Sequence, residues 1–285
     1  MRHELVKGMP DSVYHADPTD EIALSHSVAT VLCAQSPLHA ALEHPKLNGG
    51  RRTVRDEQAQ QRMDRGSVVH ALILGTEMHH VVEVEADSFR AKEAREARDD
   101  ARRRGLVPVL SHKLEQYRYA AGELKGKIEA RLQAVFSCGL CGDSEVSMFW
   151  ESGGVQCKGR IDHFLSGQAY DLKCGDANPV GLGKSFVAMG WDIQDAAYTE
   201  GIERFYTHLA GRVPPLLFIR AEVEPPFAVT LARCDGMMRE LGRAKWEHAK
   251  RQWRRCVQSG EWPEYQDGSE VEMVSPPNWA AEGWL

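Results

Sequence analysis

The sequence GGVQCKGRIDHFLSGQAYDLKC, residues 153–174, decides the fold predicted for this chain. Two apolar-rich runs, Val155–Leu165 and Ala169–Cys174, lie on either side of a short polar break that contains Gly167. Glycine in such a break between two runs of strand-forming residues is typical of a hairpin turn. The stretch therefore predicts two antiparallel β-strands joined by a tight turn.

Three charged side chains lie on the two predicted strands. The first strand carries Asp162; the second carries Asp171 and Lys173 on one face, because successive strand residues point to opposite faces. Pairing of the strands would bring Asp162 close to Asp171, while Leu172 points into the core. Carboxylate oxygens are the ligands of hard divalent cations, and a nearby ammonium group can orient an attacking water. The hairpin therefore predicts a candidate cation site.

This pattern resembles the PD-(D/E)xK nuclease superfamily, in which an Asp precedes a hairpin whose second strand carries Asp/Glu-x-Lys. Two more motifs support the resemblance. WDIQDAAY, residues 191–198, is similar to the superfamily's Q-x-x-x-Y helix, and RGSVVHAL, residues 65–72, is similar to the G-x-x-x-H helix of its exonuclease branch. Together with the N-terminal YHAD and LSHS segments, these motifs resemble the nuclease domain of RecE-type exonucleases of phages and prophages, over about Met9 to Phe205.

The resemblance implies a site that is assembled from separate parts of the chain. The metal ligands that it implies for one or two Mg²⁺ ions, with Mn²⁺ as an alternative, are His70, Asp162, Asp171 and the carbonyl of Leu172. Lys173 would position the attacking water or stabilise developing negative charge. The resemblance adds Glu145, which precedes an aromatic-containing strand, and places Gln194 and Tyr198 near the scissile phosphate or the DNA end.

On residue pattern alone, several of these side chains also have ordinary structural interpretations. His70, on an apolar helix, is typical of a core histidine, and Glu145 of a solvated charge at a strand edge. Gln194 and Tyr198 share one face of an amphipathic helix. Asp162, by contrast, lies between apolar residues, where a carboxylate without a partner would be costly. The candidate phosphate contacts are Lys158, Arg160 and Lys184.

The activity that the resemblance implies is a metal-dependent exodeoxyribonuclease acting on the ends of linear double-stranded DNA. Digestion would run 5′→3′ and leave a 3′ single strand for a single-strand annealing protein. The resemblance also implies a ring-shaped homo-oligomer. Two alternatives stay open: a structure-selective or single-strand endonuclease of the same fold, and a catalytically silent DNA-binding subunit.

The composition of the chain limits the classes of protein to which it can belong. The net charge of −6 counts against a protein that coats DNA, but less against a nuclease whose site needs carboxylates. Seven cysteines and an N-terminus without an apolar signal segment predict reduced thiols and a cytoplasmic location. No apolar run approaches a membrane span. A single CxxC, Cys138 to Cys141, gives no complete zinc or iron–sulfur pattern.

Taken together, the periodicities predict an α/β fold with a restriction-endonuclease-like core, in which a central mixed β-sheet is flanked by helices. We expect one domain over residues 1–285, with its core at about 56–235, an extended N-terminal arm at 1–24, and a C-terminal helix and tail at 235–285. Helices are predicted over 56–74, 88–104 and 111–136. A break in the helical pattern is expected over 105–109.

Overall fold

The computed structural model describes residues 3–49, 57–76, 78, 80–132, 142–165, 167–265, 271 and 273–281. Their strands are β1 (Glu4–Val6), β2 (Leu24–Ser25), β3 (Val81–Val84), β4 (Val107–Leu110), β5 (Asp143–Ser152), β6 (Val155–Leu165), β7 (Gln168–Cys174), β8 (Leu217–Ala221) and β9 (Val229–Ala232). Their helices are α1 (Asp11–His15), α2 (His26–Ala34), α3 (Pro37–Glu43), α4 (Glu57–Leu74), α5 (Lys92–Arg103), α6 (Ser111–Arg131), α7 (Leu182–Ala188), α8 (Trp191–Phe205), α9 (Gly236–Ser259) and α10 (Asn278–Ala281). A 3₁₀ turn follows α8 at Thr207–Leu209.

The predicted mixed sheet flanked by helices is confirmed. Its strands run in the order β1-β5-β6-β7-β8-β9, and β2 pairs with β6. Strands β7 and β8 are parallel, as are β2 and β6, whereas the other neighbours in the sheet are antiparallel. The predicted hairpin is β6–β7, with His163 opposite Tyr170 and Leu165 opposite Gln168.

Helices cover both faces of this sheet. On one face, α2, α8 and α9 bury a cluster that includes Trp150, Trp191 and Trp246. On the other face, α4 and α6 pack Val69, Ile73 and Leu124 against β7 and β8. The site-bearing hairpin is therefore clamped between two apolar layers, which fixes the direction of its side chains.

The N-terminal arm differs from the extended arm that we expected. Strand β1 pairs with β5, α1 follows, and Asp17 is buried. The Asp17 carboxylate accepts hydrogen bonds from the Ala23 amide and the Thr19 hydroxyl and lies 3.2 Å from His44. A buried carboxylate with this many partners holds the segment in a folded conformation.

Other predicted elements are confirmed with shifted ends. Helix α4 and the final long helix α9 form as expected, and α9 is capped by Asp235 and by Gly260, whose φ is +74°. The expected break over 105–109 separates α5 from α6, and β4 forms within it, in parallel with β3. The predicted continuation of α6 to residue 136 and the Cys138–Cys141 motif lie outside the described residues. No helix in the described part of the chain is long and apolar enough to cross a membrane.

Candidate active site

The β6–β7 hairpin brings both predicted carboxylates to one place. The amide of Leu172 donates a 2.7 Å hydrogen bond to Oδ2 of Asp162, which ties the side chain of β6 to the backbone of β7. The Lys173 ammonium lies 2.7 Å from Oδ1 of Asp171. The hairpin alone thus supplies two carboxylates and one ammonium group.

Helix α4 adds the imidazole of His70. Its Nε2 lies 2.9 Å from Oδ2 of Asp162, and its Nδ1 lies 3.8 Å from Oε1 of Glu145. The neighbouring Val69 and Ile73 are buried in the core between α4 and the sheet. Because those two residues fix the rotation of the helix, His70 faces the carboxylates.

Glu145 reaches the site through an unusual backbone conformation. Its φ is +54°, within β5, where a non-glycine residue is rarely left-handed. The Glu145 carboxylate accepts a 2.5 Å hydrogen bond from Nε of Arg160. Arg160 also donates to the Met9 carbonyl at 2.7 Å and lies 3.1 Å from Asp11. Such outliers persist where surrounding contacts hold them, and they cluster at functional sites.

Helix α8 brings Gln194 and Tyr198 to the same hairpin. The Gln194 amide donates to Oδ2 of Asp171, and the Tyr198 hydroxyl accepts from the backbone amide of Arg160 at 3.3 Å. Both side chains are buried. Their contacts orient Asp171 and lock β6 against α8.

Burial and neighbouring charges shift the pKa values of the site carboxyls in opposite directions. Burial disfavours a charged Asp162, but His70 and Lys173 outweigh it and lower the pKa of this carboxyl. Burial raises the pKa of Asp171 and that of Glu145. The imidazole of His70 is partly buried, which favours its neutral form, yet Asp162 and Glu145 raise its pKa to about 9. A carboxyl group whose ionised form is disfavoured by burial is stabilised most in that form by an added cation.

The donor set fits a divalent cation, although the ligands are paired with one another. Within the described residues, no three His, Cys, Asp or Glu side chains stand as a formed metal site. The reason is local: His70 is hydrogen bonded directly to Asp162, and Asp171 is held by Lys173 and Gln194. Carboxylate oxygens with one imidazole suit Mg²⁺ and, better, Mn²⁺. Binding would require His70 to exchange its contact with Asp162 for the cation.

These residues line an open cleft of about 800 Å³. Arg62, Met63, Gly66 and Ser67 continue the face of α4 that carries His70. The positions 62, 66 and 70 follow helical spacing, a signal by which the sequence could have marked Arg62. Other cleft residues that sequence reasoning did not assign to the site include His15, His26, Met189, Trp191 and Arg220.

Two of the expected phosphate contacts are already engaged by the protein. Lys158 is 5% exposed, and its ammonium donates to the Tyr14 carbonyl and lies 3.8 Å from Asp17. Burial lowers the pKa of Lys158 to about 8. Arg160 is held by Glu145, as described above. Lys184 is exposed on α7 and is not among the residues that line this cleft. Lys158 thus anchors the N-terminal segment; it also lines the cleft, and its contact with phosphate stays a prediction.

Comparison with known proteins decides the family. Residues 40–274 match the model of a PDDEXK-like domain of unknown function (DUF3799). The chain belongs to this family. The predicted membership of the PD-(D/E)xK nuclease superfamily is thus confirmed, whereas the RecE-like branch stays a prediction.

A solved structure supports the fold of this PDDEXK-like protein. The crystal structure of a "putative exonuclease" from Eubacterium rectale is similar, with a TM-score of 0.58 and 15% identity. The likeness covers 97% of this chain and 99% of that one, and at this identity it speaks for the fold alone. No curated protein matches the PDDEXK-like chain.

Proposed function

We propose that this PDDEXK-like protein is a divalent-metal-dependent exodeoxyribonuclease that hydrolyses phosphodiester bonds at the ends of linear duplex DNA. One observation carries the proposal. Asp162 and Asp171 converge with His70 in an open cleft, and the Lys173 ammonium lies 2.7 Å from Asp171. Buried carboxylates beside an imidazole and an ammonium group match the needs of metal-assisted phosphodiester hydrolysis.

The residues that would hold Mg²⁺, or Mn²⁺ in its place, are His70, Asp162, Asp171 and the carbonyl of Leu172. A bound divalent cation supplies Lewis acidity toward the phosphate and lowers the pKa of water. In this chain, β6 and β7 supply the oxygen donors, and α4 supplies the nitrogen donor from the opposite side.

The role of Lys173 in hydrolysis depends on where its ammonium group lies. Its ammonium, held by Asp171, is placed to donate a hydrogen bond to the attacking water or to an oxygen of the phosphate as negative charge develops. Gln194 restricts Asp171 through its amide, so the carboxylate keeps one orientation. Glu145 adds a third carboxylate, 3.8 Å from His70, at the edge of the same site.

Resemblance supports the finer assignment. The RecE-like motifs favour 5′→3′ digestion that leaves a 3′ single strand for a single-strand annealing protein in recombination. The similar fold of the E. rectale protein is consistent with exonuclease chemistry. Each cysteine that the described residues contain is free, which suits the reducing cytoplasm of a bacterial host.

End-labelled DNA tests this proposal. Linear duplexes labelled at the 5′ or the 3′ end, and a closed-circular duplex, are incubated with Mg²⁺ or with a chelator. We expect early release of the 5′ label with Mg²⁺, no release with chelator, and an intact circle. Cutting of the circle would replace the proposal with an endonuclease. Mg²⁺-dependent DNA binding without cleavage would replace it with a silent DNA-binding subunit.

A further inference from the structure

The C-terminal residues 264–285, here called the acidic tail, combine negative charge with exposed apolar side chains. The tail carries five acidic residues and no lysine or arginine. Its described apolar side chains are almost fully solvent-exposed: Val271 is 84% exposed, Met273 85%, Val274 89% and Trp279 78%. Large apolar side chains that cluster in solvent mark a surface that another molecule covers, and acidic tails commonly serve as interaction segments.

The face of α9 that points away from the core has the complementary character. Three basic residues of this helix point inward to acidic partners: Arg239 to Asp195, Lys245 to Asp192, and Lys250 to Glu200.

The outward residues of α9 have no such core partners among the described residues. Arg251 and Arg255 are exposed, as are Met237 at 80% and Leu241 at 41%. These four residues, which lie on one side of the helix at 3.6 residues per turn, are called the outer face of α9. Because seven of the charged residues of α9 are basic and two are acidic, the helix carries a net positive charge. A helix face that carries apolar side chains near one end and arginines near the other is suited to a chain that offers tryptophan and carboxylates.

The first part of the chain after α9 runs away from this outer face. The Trp262 ring contacts the Trp253 ring at 4.9 Å, and the Pro263 carbonyl accepts from the amide of Leu38. Tyr265 then lies against the His39 ring at 5.1 Å. Trp253 is two residues from Arg251 and thus points to the opposite side of α9. The chain therefore continues toward α3 as far as Tyr265, and the contacts of the described residues show none that cover the outer face of α9.

We propose that the acidic tail of one copy of this chain binds the outer face of α9 on a second copy. Trp279 and the neighbouring valines cover Met237 and Leu241, and tail carboxylates pair with Arg251 and Arg255. The contact joins copies head to tail, which is the geometry of a closed ring or an open chain. The proposal does not depend on nuclease activity.

The mass of the full chain in solution tests the contact. We expect the parent to be an oligomer by light scattering, and the double variant Arg251→Glu/Arg255→Glu to fall to the mass of the monomer. The variant Trp279→Ala should dissociate at a protein concentration at least about tenfold higher than the parent does. The matched control, Arg103→Glu/Arg104→Glu on exposed positions of α5, should keep the parent mass.

A charge-reversal rescue distinguishes direct pairing from a general effect of charge. The changes Glu270→Lys/Glu272→Lys, added to Arg251→Glu/Arg255→Glu, should restore the oligomer. Circular dichroism should match the parent in each variant, because the altered arginines are exposed. A monomeric parent, an oligomer that survives the arginine reversal, or a failed rescue overturns the proposal.

Discussion

Nε2 of His70 lies 2.9 Å from Oδ2 of Asp162, although 92 positions separate the two residues in the chain. The same oxygen accepts the Leu172 amide at 2.7 Å. One carboxylate oxygen therefore joins helix α4, strand β6 and strand β7. Because all three groups meet at this atom, we expect a substitution that displaces any of them to change the geometry of the candidate cation site more than the packing of the distant core.

Removal of the imidazole should weaken cation binding. We expect His70→Ala to lower the affinity for Mn²⁺ by about tenfold or more, because a nitrogen donor is lost and Asp162 loses the group that orients it. Isothermal titration with Mn²⁺ measures the change. His248→Ala, on the exposed face of α9, is the matched control and should bind as the parent does. Equal affinities for the parent and His70→Ala would exclude His70 from the cation site.

Removal of the Lys173 ammonium should slow catalysis with little change in substrate binding. We expect Lys173→Ala to reduce kcat by about 10²–10³-fold, the usual cost of losing one donor to developing negative charge. The KM for duplex DNA should stay close to that of the parent, because the group acts mainly in the transition state. Lys113→Ala, at an exposed lysine on α6 that does not line the cleft, serves as control. Undiminished turnover by Lys173→Ala would contradict the proposed mechanism.

Asp17 should stabilise the fold in a pH-dependent way. Burial alone would raise the pKa of this carboxyl, but its hydrogen bond to His44 and the charge of Lys158 lower it below its ordinary value of 3.8. The folded state thus binds this proton less tightly than the unfolded state does. The stabilisation is therefore complete above a pH of about 4 and is lost as the pH falls further.

The variant Asp17→Asn tests this linkage. At about pH 7 we expect a loss of about 3 kcal/mol in the free energy of unfolding, because buried partners of the carboxylate are left unpaired. The difference from the parent should narrow at about pH 3, where the parent carboxyl loses its advantage. Urea unfolding at both pH values gives the two differences. Asp20→Asn, at an exposed position, should change stability little. If the difference in unfolding free energy between the parent and Asp17→Asn is the same at both pH values, Asp17 does not stabilise the fold through a lowered pKa.

Close approach of α8 and α9 should depend on Gly242. A Cβ atom at this position would overlap the backbone carbonyl of Asp192, which cannot move without shifting α8. We expect Gly242→Ala to lower the free energy of unfolding by about 1–3 kcal/mol. Gly122→Ala, in α6, meets nothing within 4 Å and should instead stabilise by about 0.5–1 kcal/mol. Chemical denaturation of both variants checks the opposite signs, and destabilisation of equal size would argue against the close contact.

Local sequence patterns determined a large part of the fold. The β6–β7 hairpin, the helices α4 and α9, and the caps at Ser25 and Asp235 follow from residues that are close together in the chain. Strand alternation placed Asp171 and Lys173 on one face, and the structure brings them together with Asp162. Resemblance, rather than periodicity, singled out His70, because a histidine on an apolar helix has no distinctive local signal.

Long-range packing decided the rest. The left-handed Glu145 depends on its bond to Arg160, which in turn is held by the carbonyl of Met9. Lys158 donates a hydrogen bond to the folded N-terminal segment, and β4 forms by pairing with β3. Short-range propensities carry no information on such partners, because each residue acquires them only when distant segments meet.

The sequence by itself therefore determined which strands present the candidate residues Asp162, Asp171 and Lys173. Only the tertiary structure decided which basic groups remain available to a substrate, and how four elements align at one pocket. The physical reason is that alternation and capping act within a few residues, whereas burial and ion pairing depend on contacts between residues far apart in the chain.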